Sequence, residues 1–198
     1  MRIILGVLIL MLVACTAAPP RPVLPAQSAP AAETASVDSG PSGESRPLRI
    51  VVHKKERRLE LFRGEELIHT YPIALGFAPE GAKLREGDGR TPEGEYYVSV
   101  KNPNSQFYLS LGISYPNRLD AERAWFNGRI TRQEYLNVAR AIERQATPPW
   151  NTVLGGAIYI HGFGTYRDWT RGCIAMRDQD VEELFNLVQV GTTVIIHP

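Results

Sequence analysis

The pattern of apolar and polar residues changes along the chain from strand-like to helical and back to strand-like. In the region from residue 47 to residue 198, short runs of β-branched and apolar residues separated by turn residues predict β-strands first. These predicted strands cover residues 48–52, 59–62, 67–73 and 96–100. The turn Arg63-Gly64-Glu65 joins the second strand to the third, which predicts a hairpin-rich sheet.

Helical periodicity follows in two later segments. Residues 131–134 have the composition of a capping box, and apolar residues then recur at helical spacing as far as Ile142. Further on, Asp178 is predicted to cap a helix that ends before Gly191, and residues 192–196 form a last strand. Strands with two or three helices predict a mainly β domain, with the first helix laid on the sheet as packing or as a lid on the substrate side.

The N-terminal residues have the shape of a signal peptide. Residues 1–14 begin with Met1-Arg2 and continue as an apolar run that contains no acidic residue. The run has about 12 residues, which is well short of the roughly 20 that a bilayer-spanning helix requires. A secretory leader is therefore expected. It is either an ordinary one, cleaved near Ala14 or Ala18, or a lipoprotein leader.

The lipoprotein alternative rests on Leu12-Val13-Ala14-Cys15, which resembles the bacterial lipobox. That resemblance implies that Cys15 is lipidated and anchors the protein to a membrane. Thr16 stands after it where an aspartate would favour the inner membrane, so the resemblance implies a periplasmic protein on the outer membrane of a Gram-negative cell. Residues 15–46 are rich in Ala, Pro, Ser and Thr and predict a disordered tether to the domain at 47–198.

Charge and motifs exclude two classes of partner. Without Arg2 the chain has 21 Lys and Arg residues against 21 Asp and Glu residues, so it lacks the basic surface that nucleic-acid binding requires. The glycine-marked loop at residues 87–94 contains no Gly-x-x-x-x-Gly-Lys-Ser/Thr or Gly-x-Gly-x-x-Gly run. We therefore expect neither nucleic-acid binding nor nucleotide binding.

One cysteine remains after the leader, and its surroundings favour a reactive role. Cys173 follows His161 by 12 positions, and His161 comes directly after the apolar run 157–160, which predicts a strand. A thiol with an ordinary pKa is mostly protonated at neutral pH, so a nucleophilic cysteine needs an imidazole beside it. Gly172, which has no β-carbon, would let backbone amides approach an oxyanion. A buried, inert cysteine is the alternative.

A zinc site is a weaker alternative for this pair. Four-coordinate zinc needs further Cys, His or carboxylate ligands at set spacing. The chain has only three other histidines, and none is near the pair in sequence: His53, His69 and His197. The sequence therefore predicts no metal site.

The residues around the pair resemble the signature of a known family. His161-Gly162 followed by the run from Thr170 to Ile174 is similar to the His-Gly and Ser/Thr-x-Gly-Cys signature of L,D-transpeptidases with a YkuD-like catalytic domain. Further similarities are residues 87–96, 101–103 and 113–117. The resemblance spans residues 50–196 and implies a β-sandwich domain that acts on peptidoglycan stem peptides.

The resemblance also implies a role for each residue of the signature. Cys173 would be the nucleophile, and His161 would be the general base that then becomes the general acid. The Gly162 carbonyl would orient the imidazole. The amides of Gly172 and Cys173 would donate hydrogen bonds to the oxyanion. The thiolate would attack the carbonyl of the diamino acid in a stem tetrapeptide and release D-alanine. The acceptor would be an amine of another stem, giving a 3→3 cross-link, or a lysine of an anchored lipoprotein. No metal or organic cofactor is implied.

Ala175 departs from the commonest form of the signature, which has arginine two positions after the cysteine. Arg171 or Arg167 is a candidate for supplying that charge. Family members with the sequence Gly-Cys-Ile-Ala include hydrolytic relatives, so a peptidoglycan amidase or endopeptidase is the alternative to a transpeptidase. A third hypothesis is a catalytically silent lipoprotein that binds the cell wall.

Four side chains are candidate substrate contacts near the pair: Thr170, Arg171, Tyr108 and Trp169. Trp169 is also expected to pack the catalytic loop. Asp168 is a candidate for holding Arg171 or a substrate amine, and Asp88 is expected to fix the turn between its two neighbouring glycines.

Overall fold

The computed structural model describes residues 46–198, which form a mainly β domain. The first strands are β1 (Leu48–His53), β2 (Arg58–Arg63), β3 (Glu66–Pro72), β4 (Gly94–Ser105) and β5 (Tyr108–Ile113). Helices α1 (Arg118–Phe126) and α2 (Arg132–Glu143) follow. The chain then forms β6 (Tyr159–His161), β7 (Ile174–Ala175), α3 (Asp178–Leu187) and β8 (Thr193–His197).

The eight strands form one curled sheet in the order β3-β2-β1-β8-β4-β5-β6-β7. Most neighbours are antiparallel, but β8 runs parallel to β1, and β7 runs parallel to β6. The long strand β4 pairs with β8 through its first residues and with β5 through its later ones, where two register shifts bend it. Strand β4 therefore joins the two halves of the sheet.

The two edges of the sheet meet where Ala74, which follows β3, pairs with Ala175 of β7. The Ala74 amide donates to the Ala175 carbonyl at 2.9 Å, and the Ala175 amide donates to the Ala74 carbonyl at 2.8 Å. The Phe77 amide extends the contact by donating to the Thr170 carbonyl at 2.9 Å. We call these contacts the closing seam. They fix the segment that contains Cys173 against the chain that follows β3.

The main core lies inside the curl. It is built from alternate residues of the strands together with the inner face of α3, among them Ile50, Leu61, Val98, Leu111 and Leu184. Period-two alternation in a strand places every second side chain on the same face, which is why these positions are buried together. The prediction of a mainly β domain with a few helices is confirmed.

Helices α1 and α2 form a smaller core of their own beside β4. Its buried residues are Ala121 and Ala124 of α1, Val138 of α2, and Ile130 and Leu154 of the adjoining loops. Both helices begin with a capping box, and the box of α2 lies where its sequence predicts it, at Thr131 and Glu134. The pair is attached to the sheet through Tyr96, whose hydroxyl donates to Asp120 Oδ2 at 2.9 Å.

Several boundaries differ from the prediction. Strand β5, strand β7 and helix α1 have no counterpart among the predicted elements, and the strand predicted at 157–160 begins at Tyr159. Arg177, rather than Asp178, occupies the N-cap of α3, because Asp178 already has helical geometry and its Oδ1 accepts the Phe163 amide. The predictions for residues 1–14, for Cys15 and for the tether lie outside the described residues. No helix within residues 46–198 is long and apolar enough for a membrane span.

Asp120 makes the stability of this arrangement depend on pH. Burial raises the pKa of its carboxyl to about 6, against the opposing effects of the Asn117 amide, the Tyr96 hydroxyl and the Arg123 charge. The native state therefore binds more protons than the unfolded state between about pH 4 and pH 6. The stabilising contribution of the protonated carboxyl is complete below pH 4 and is lost as the pH rises through 6.

We predict that Asp120→Asn removes this dependence, because the amide oxygen still accepts the two hydrogen bonds but does not ionise. The free energy of unfolding of the wild-type protein, measured relative to the variant by urea denaturation, should fall by on the order of 2 kcal/mol from pH 4 to pH 7. Parallel pH profiles for the two proteins would contradict the assignment.

Candidate active site

Two neighbouring parallel strands bring the predicted cysteine and histidine to one cleft. His161 is the last residue of β6, and Cys173 directly precedes β7, where Ile160 is paired with Ile174. Both side chains line a cleft of about 450 Å³. The other lining residues include Tyr159, Ala157, Ser110 and several residues of the β4–β5 hairpin. The structure therefore places the two predicted residues at the same site.

The imidazole of His161 is held in one tautomer by a backbone carbonyl. Only 2% of the residue is exposed, and its Nδ1 lies 2.7 Å from the Gly162 oxygen. A carbonyl oxygen only accepts, so Nδ1 carries the hydrogen in the neutral ring and Nε2 keeps its lone pair. Burial lowers the pKa of His161 below its ordinary value, although the Gly162 carbonyl opposes this shift.

The thiol of Cys173 lies between a backbone donor and a backbone acceptor. The Tyr159 amide donates to Sγ at 3.4 Å, and Sγ lies 3.7 Å from the Ala157 oxygen. Burial raises the pKa of the thiol, while the Tyr159 amide and the charge of Lys83 oppose the shift. The pKa shifts of Cys173 and His161 both favour the uncharged forms, a thiol and a neutral imidazole.

Gly172 has the conformation that only glycine adopts without strain, with φ of +128°. A β-carbon there would lie 2.6 Å from the Arg90 oxygen, so no larger residue fits. Its amide donates to Thr170 Oγ1 at 3.1 Å. Its hydrogen is thus bound inside the loop, and the role of this amide as an oxyanion donor stays a prediction. Cys173 supplies the other predicted amide.

Thr170 holds the loop from within. Only 4% of it is exposed, and its hydroxyl donates to the Cys173 oxygen at 2.7 Å while accepting the Gly172 amide. The hydroxyl is therefore a bridge that shapes the turn before the thiol, and a substrate contact by Thr170 stays a prediction.

The charged candidates of the loop lie outside the cleft. Arg171 is exposed and is not among the residues that line the cleft, and the Arg167 guanidinium lies 5.7 Å from the centre of the Tyr166 ring. Asp168 accepts two hydrogen bonds from Arg57 Nε, at 3.1 and 3.0 Å, and one from Nη2 at 2.6 Å. It therefore holds Arg57 and not Arg171.

The two aromatic candidates fix the surroundings of the pair. The Tyr108 hydroxyl donates to Glu182 Oε2 on α3 at 3.0 Å, and Tyr108 is not among the residues that line the cleft. A substrate contact by Tyr108 stays a prediction. Trp169 lies edge-on to the His161 ring with centroids 5.6 Å apart, which agrees with the expected packing of the loop. Asp88 accepts the amides of Leu84 and Arg90, at 2.7 and 3.1 Å, as its turn position predicts.

Sequence reasoning missed the β4–β5 hairpin as a wall of the cleft. It contributes five lining residues: Asn102, Asn104, Ser105, Gln106 and Phe107. The polar run with a proline gives no strand signal, so nothing in it pointed to a place beside His161. The described residues contain no group of three His, Cys, Asp or Glu side chains that could hold a metal ion.

A cysteine and a histidine facing one cleft of a β-rich domain form the type of site that cysteine acyltransferases and cysteine hydrolases use. Comparison with known proteins identifies the group within this class. The YkuD family, described as the L,D-transpeptidase catalytic domain, matches residues 47–196. The chain belongs to this family.

Curated relatives agree with the family. YafK of Escherichia coli K12, described as a candidate L,D-transpeptidase, is 28% identical over 148 residues, which cover 72% of this chain and 47% of YafK. YkuD of Bacillus licheniformis, described in the same way, is 29% identical over 157 residues, covering 77% of this chain and 67% of YkuD. The chain thus spans about half the length of YafK.

Solved structures show the same fold. Pgp2, a helical cell shape determining protein of Campylobacter jejuni, superposes with a TM-score of 0.55 at 22% identity, covering 76% of this chain and 47% of Pgp2. Bd1075 of Bdellovibrio bacteriovorus gives a TM-score of 0.51 at 22% identity, covering 77% and 48% of the two chains.

We predict that Thr170→Val loosens the loop, because the buried Gly172 amide loses its acceptor. The free energy of unfolding should fall by about 1–3 kcal/mol, as measured by urea denaturation, and alkylation of Cys173 by iodoacetamide should change in rate. Thr170→Ser keeps the hydroxyl and should behave like the wild type. If the valine variant matches the serine variant in both measurements, the hydroxyl does not hold the loop.

Proposed function

We propose that the protein is an L,D-transpeptidase that acts on peptidoglycan stem peptides through an acyl-enzyme on Cys173. The observation that carries the proposal is the pair itself. Cys173 and His161 line one cleft, and Gly162 engages Nδ1 so that Nε2 is available as a base. Membership of the L,D-transpeptidase family supplies the substrate class.

In the first half-reaction Nε2 of His161 takes the proton of the Cys173 thiol as Sγ attacks the carbonyl carbon of the diamino acid. The tetrahedral oxyanion receives a hydrogen bond from the Cys173 amide. On collapse the bond to D-alanine breaks, and the imidazolium returns the proton to the leaving amine. A thioester on Sγ and free D-alanine result.

In the second half-reaction an acceptor amine attacks the thioester. Its proton passes to Nε2 of His161, and the thiol is regenerated when the imidazolium protonates the departing sulfur. A side-chain amine of a second stem gives a 3→3 cross-link, and a lysine of a lipoprotein gives an anchored lipoprotein. Because burial favours the uncharged form of each group, the thiolate forms when Nε2 takes the proton during attack on an electrophile, and not as a standing ion pair.

Hydrolysis is the second candidate, and the composition of the cleft favours it. The lining residues include no Lys, Arg, Asp or Glu. Ala175 is fully buried in the closing seam and contributes no cation. Lys83, whose charge acts on Cys173, is already paired with Asp88 at 2.8 Å. A leaving group that ends in a carboxylate would therefore lose hydration there without gaining an unpaired cation. A bond inside a longer chain, such as a lipoprotein link to the diamino acid, avoids that cost, and water then takes the place of the amine.

Localisation follows from the same proposal. Peptidoglycan lies outside the cytoplasmic membrane, and residues 1–14 with Cys15 have the features of a lipoprotein leader. In this proposal the protein is periplasmic, is attached to the outer membrane through the lipid on Cys15, and reaches the wall through the tether.

Incubation of purified sacculi with the protein tests the proposal, with mass spectrometry of the released fragments as the measurement. We expect 3→3 cross-linked dimers to increase, and to remain unchanged with Cys173→Ala, which should stay folded because a small residue replaces a small, half-buried one. Loss of dimers or release of lipoprotein-linked peptides would establish hydrolysis. An identical fragment pattern with both proteins would exclude Cys173 as the nucleophile, and an unfolded variant would indicate a structural cysteine.

We also predict that His161→Gln slows alkylation of Cys173 at pH 7 on the order of tenfold or more, because the thiol loses the group that takes its proton. The matched control is His69→Gln, a change of the same kind at a half-exposed position on β3. Equal alkylation rates in the two variants would show that His161 is not the base.

A further inference from the structure

We propose that Phe107 and Trp169 are positioning residues for the reaction: they hold the His161 imidazole in the orientation in which Nε2 is presented to the cleft, and they keep water away from the ring. We call these two side chains the aromatic clamp. The inference rests on the proposed function, in which His161 is the base.

The clamp contacts the imidazole on a face and at an edge. The Phe107 ring stacks on the His161 ring with centroids 4.7 Å apart and planes 25° apart. Trp169 meets His161 at 67°, with centroids 5.6 Å apart. The two clamp rings also contact each other at 5.8 Å. Together they restrict rotation of the imidazole about its side-chain bonds, because either ring would have to move first.

Phe107 is itself fixed by the tip of the β4–β5 hairpin. Its amide donates to Ser105 Oγ at 3.1 Å, and its carbonyl accepts the Gly162 amide at 3.1 Å. The next residue, Tyr108, anchors the tip to α3 through Glu182. Phe107 therefore acts at two points: its ring covers the imidazole, and its backbone holds the residue whose carbonyl orients Nδ1.

Trp169 is fixed by the closing seam. Its amide donates to the Leu75 oxygen at 3.1 Å, and Nε1 donates to the Gly164 oxygen at 3.2 Å. The indole is thus tied both to the chain after β3 and to the loop that follows His161. A ring held at both ends is a rigid wall for the imidazole.

Within residues 46–198 no carboxylate is hydrogen-bonded to the imidazole, so the ring relies on packing to keep its orientation. Its Nδ1 partner is the neutral Gly162 carbonyl, which orients the ring through one bond. A carboxylate would add charge attraction and would favour the imidazolium. The enclosed, uncharged setting does the opposite: burial lowers the pKa of His161, so the base stays unprotonated to lower pH than an ordinary histidine.

The charges near the clamp are paired or displaced, so removing Phe107 alters hydration and packing without altering charge. The hairpin residues that line the cleft are neutral. On α3, Asp178 accepts the Phe163 amide at 2.7 Å, and in the loop before Thr170 the carboxylate of Asp168 is bound to Arg57. The remaining titratable neighbours are Tyr159 and Cys173 in the cleft and Lys83, whose charge acts on Cys173 and which is paired with Asp88 at 2.8 Å.

The test is an NMR titration of the His161 ring in a Cys173→Ala background, which removes the thiol from the titration. Phe107→Ala lets water reach the ring, so we expect the pKa of His161 to rise by about half a unit to one unit. The ¹⁵N shifts should show that the preference for hydrogen on Nδ1 weakens. Phe107→Leu restores apolar bulk but has no ring to stack on the imidazole. We therefore expect it to bring the pKa of His161 back towards the value with Phe107, while the preference for hydrogen on Nδ1 stays weakened.

Phe126→Ala is the matched control, because that phenylalanine is 75% exposed at the end of α1. It should leave the His161 titration unchanged. If Phe107→Ala does not fold, the leucine variant and Trp169→Phe carry the test. An unchanged or lowered pKa together with an unchanged tautomer would overturn the clamp, and a lower melting temperature without either change would show a structural role only.

These readouts need no substrate, so the clamp and the proposed function fail separately. If the pKa of His161 shifts in the clamp variants but the protein does not alter the fragments of sacculi, the clamp stands and the transpeptidase assignment fails. If the protein alters those fragments in a Cys173-dependent way but the pKa of His161 does not shift, the transpeptidase assignment stands and the clamp fails. With Cys173 intact, the rate of Cys173 alkylation can be measured as a function of pH. On the acid side, Phe107→Ala should shift this pH profile by the same amount as it shifts the pKa of His161.

Discussion

The closing seam is the constraint on which the rest of the site depends. A curled sheet of eight strands has two free edges, and the paired amides and carbonyls of Ala74 and Ala175 join them. Buried backbone groups require hydrogen-bond partners. The pairing with Ala74 supplies partners for backbone groups of β7, which has only two residues. The seam fixes both ends of the loop that carries Cys173. It also fixes Trp169 beside His161.

Backbone groups, rather than charged side chains, build most of the polar environment of the pair. The Gly162 carbonyl orients the imidazole, and the Tyr159 amide contacts the thiol. Such groups are positioned by strand pairing and loop geometry, and they carry no net charge. The lining of the cleft consequently carries no formal charge, and in the proposed mechanism the reactivity of Cys173 depends on geometry more than on a standing thiolate.

The sequence predicted the parts of the fold whose signal is local. Strands with alternating apolar residues, the capping box at Thr131 and the Cys173 signature all reside in short windows. The tip of the hairpin between β4 and β5 was missed because its Asn, Ser and Gln residues give no strand pattern, and the register shifts of β4 interrupt its alternation. The bridge made by Thr170 was not predicted for another reason. A threonine beside a nucleophile has the same appearance in a sequence whether its hydroxyl faces substrate or turns inward.

The position of β8 has a consequence for biosynthesis. This strand follows every other described element in the chain, yet it lies in the interior of the sheet between β1 and β4. A ribosome-bound chain that has not yet released β8 has two separate groups of strands with unpaired edges where the missing strand belongs. Assembly of the sheet therefore waits for β8, and it is dominated by long-range pairing, which is slow by comparison with local hairpins. Until β8 inserts, the two halves of the sheet have no strand between them. The emerging polypeptide therefore carries its thiol as an ordinary cysteine before it has a completed cleft.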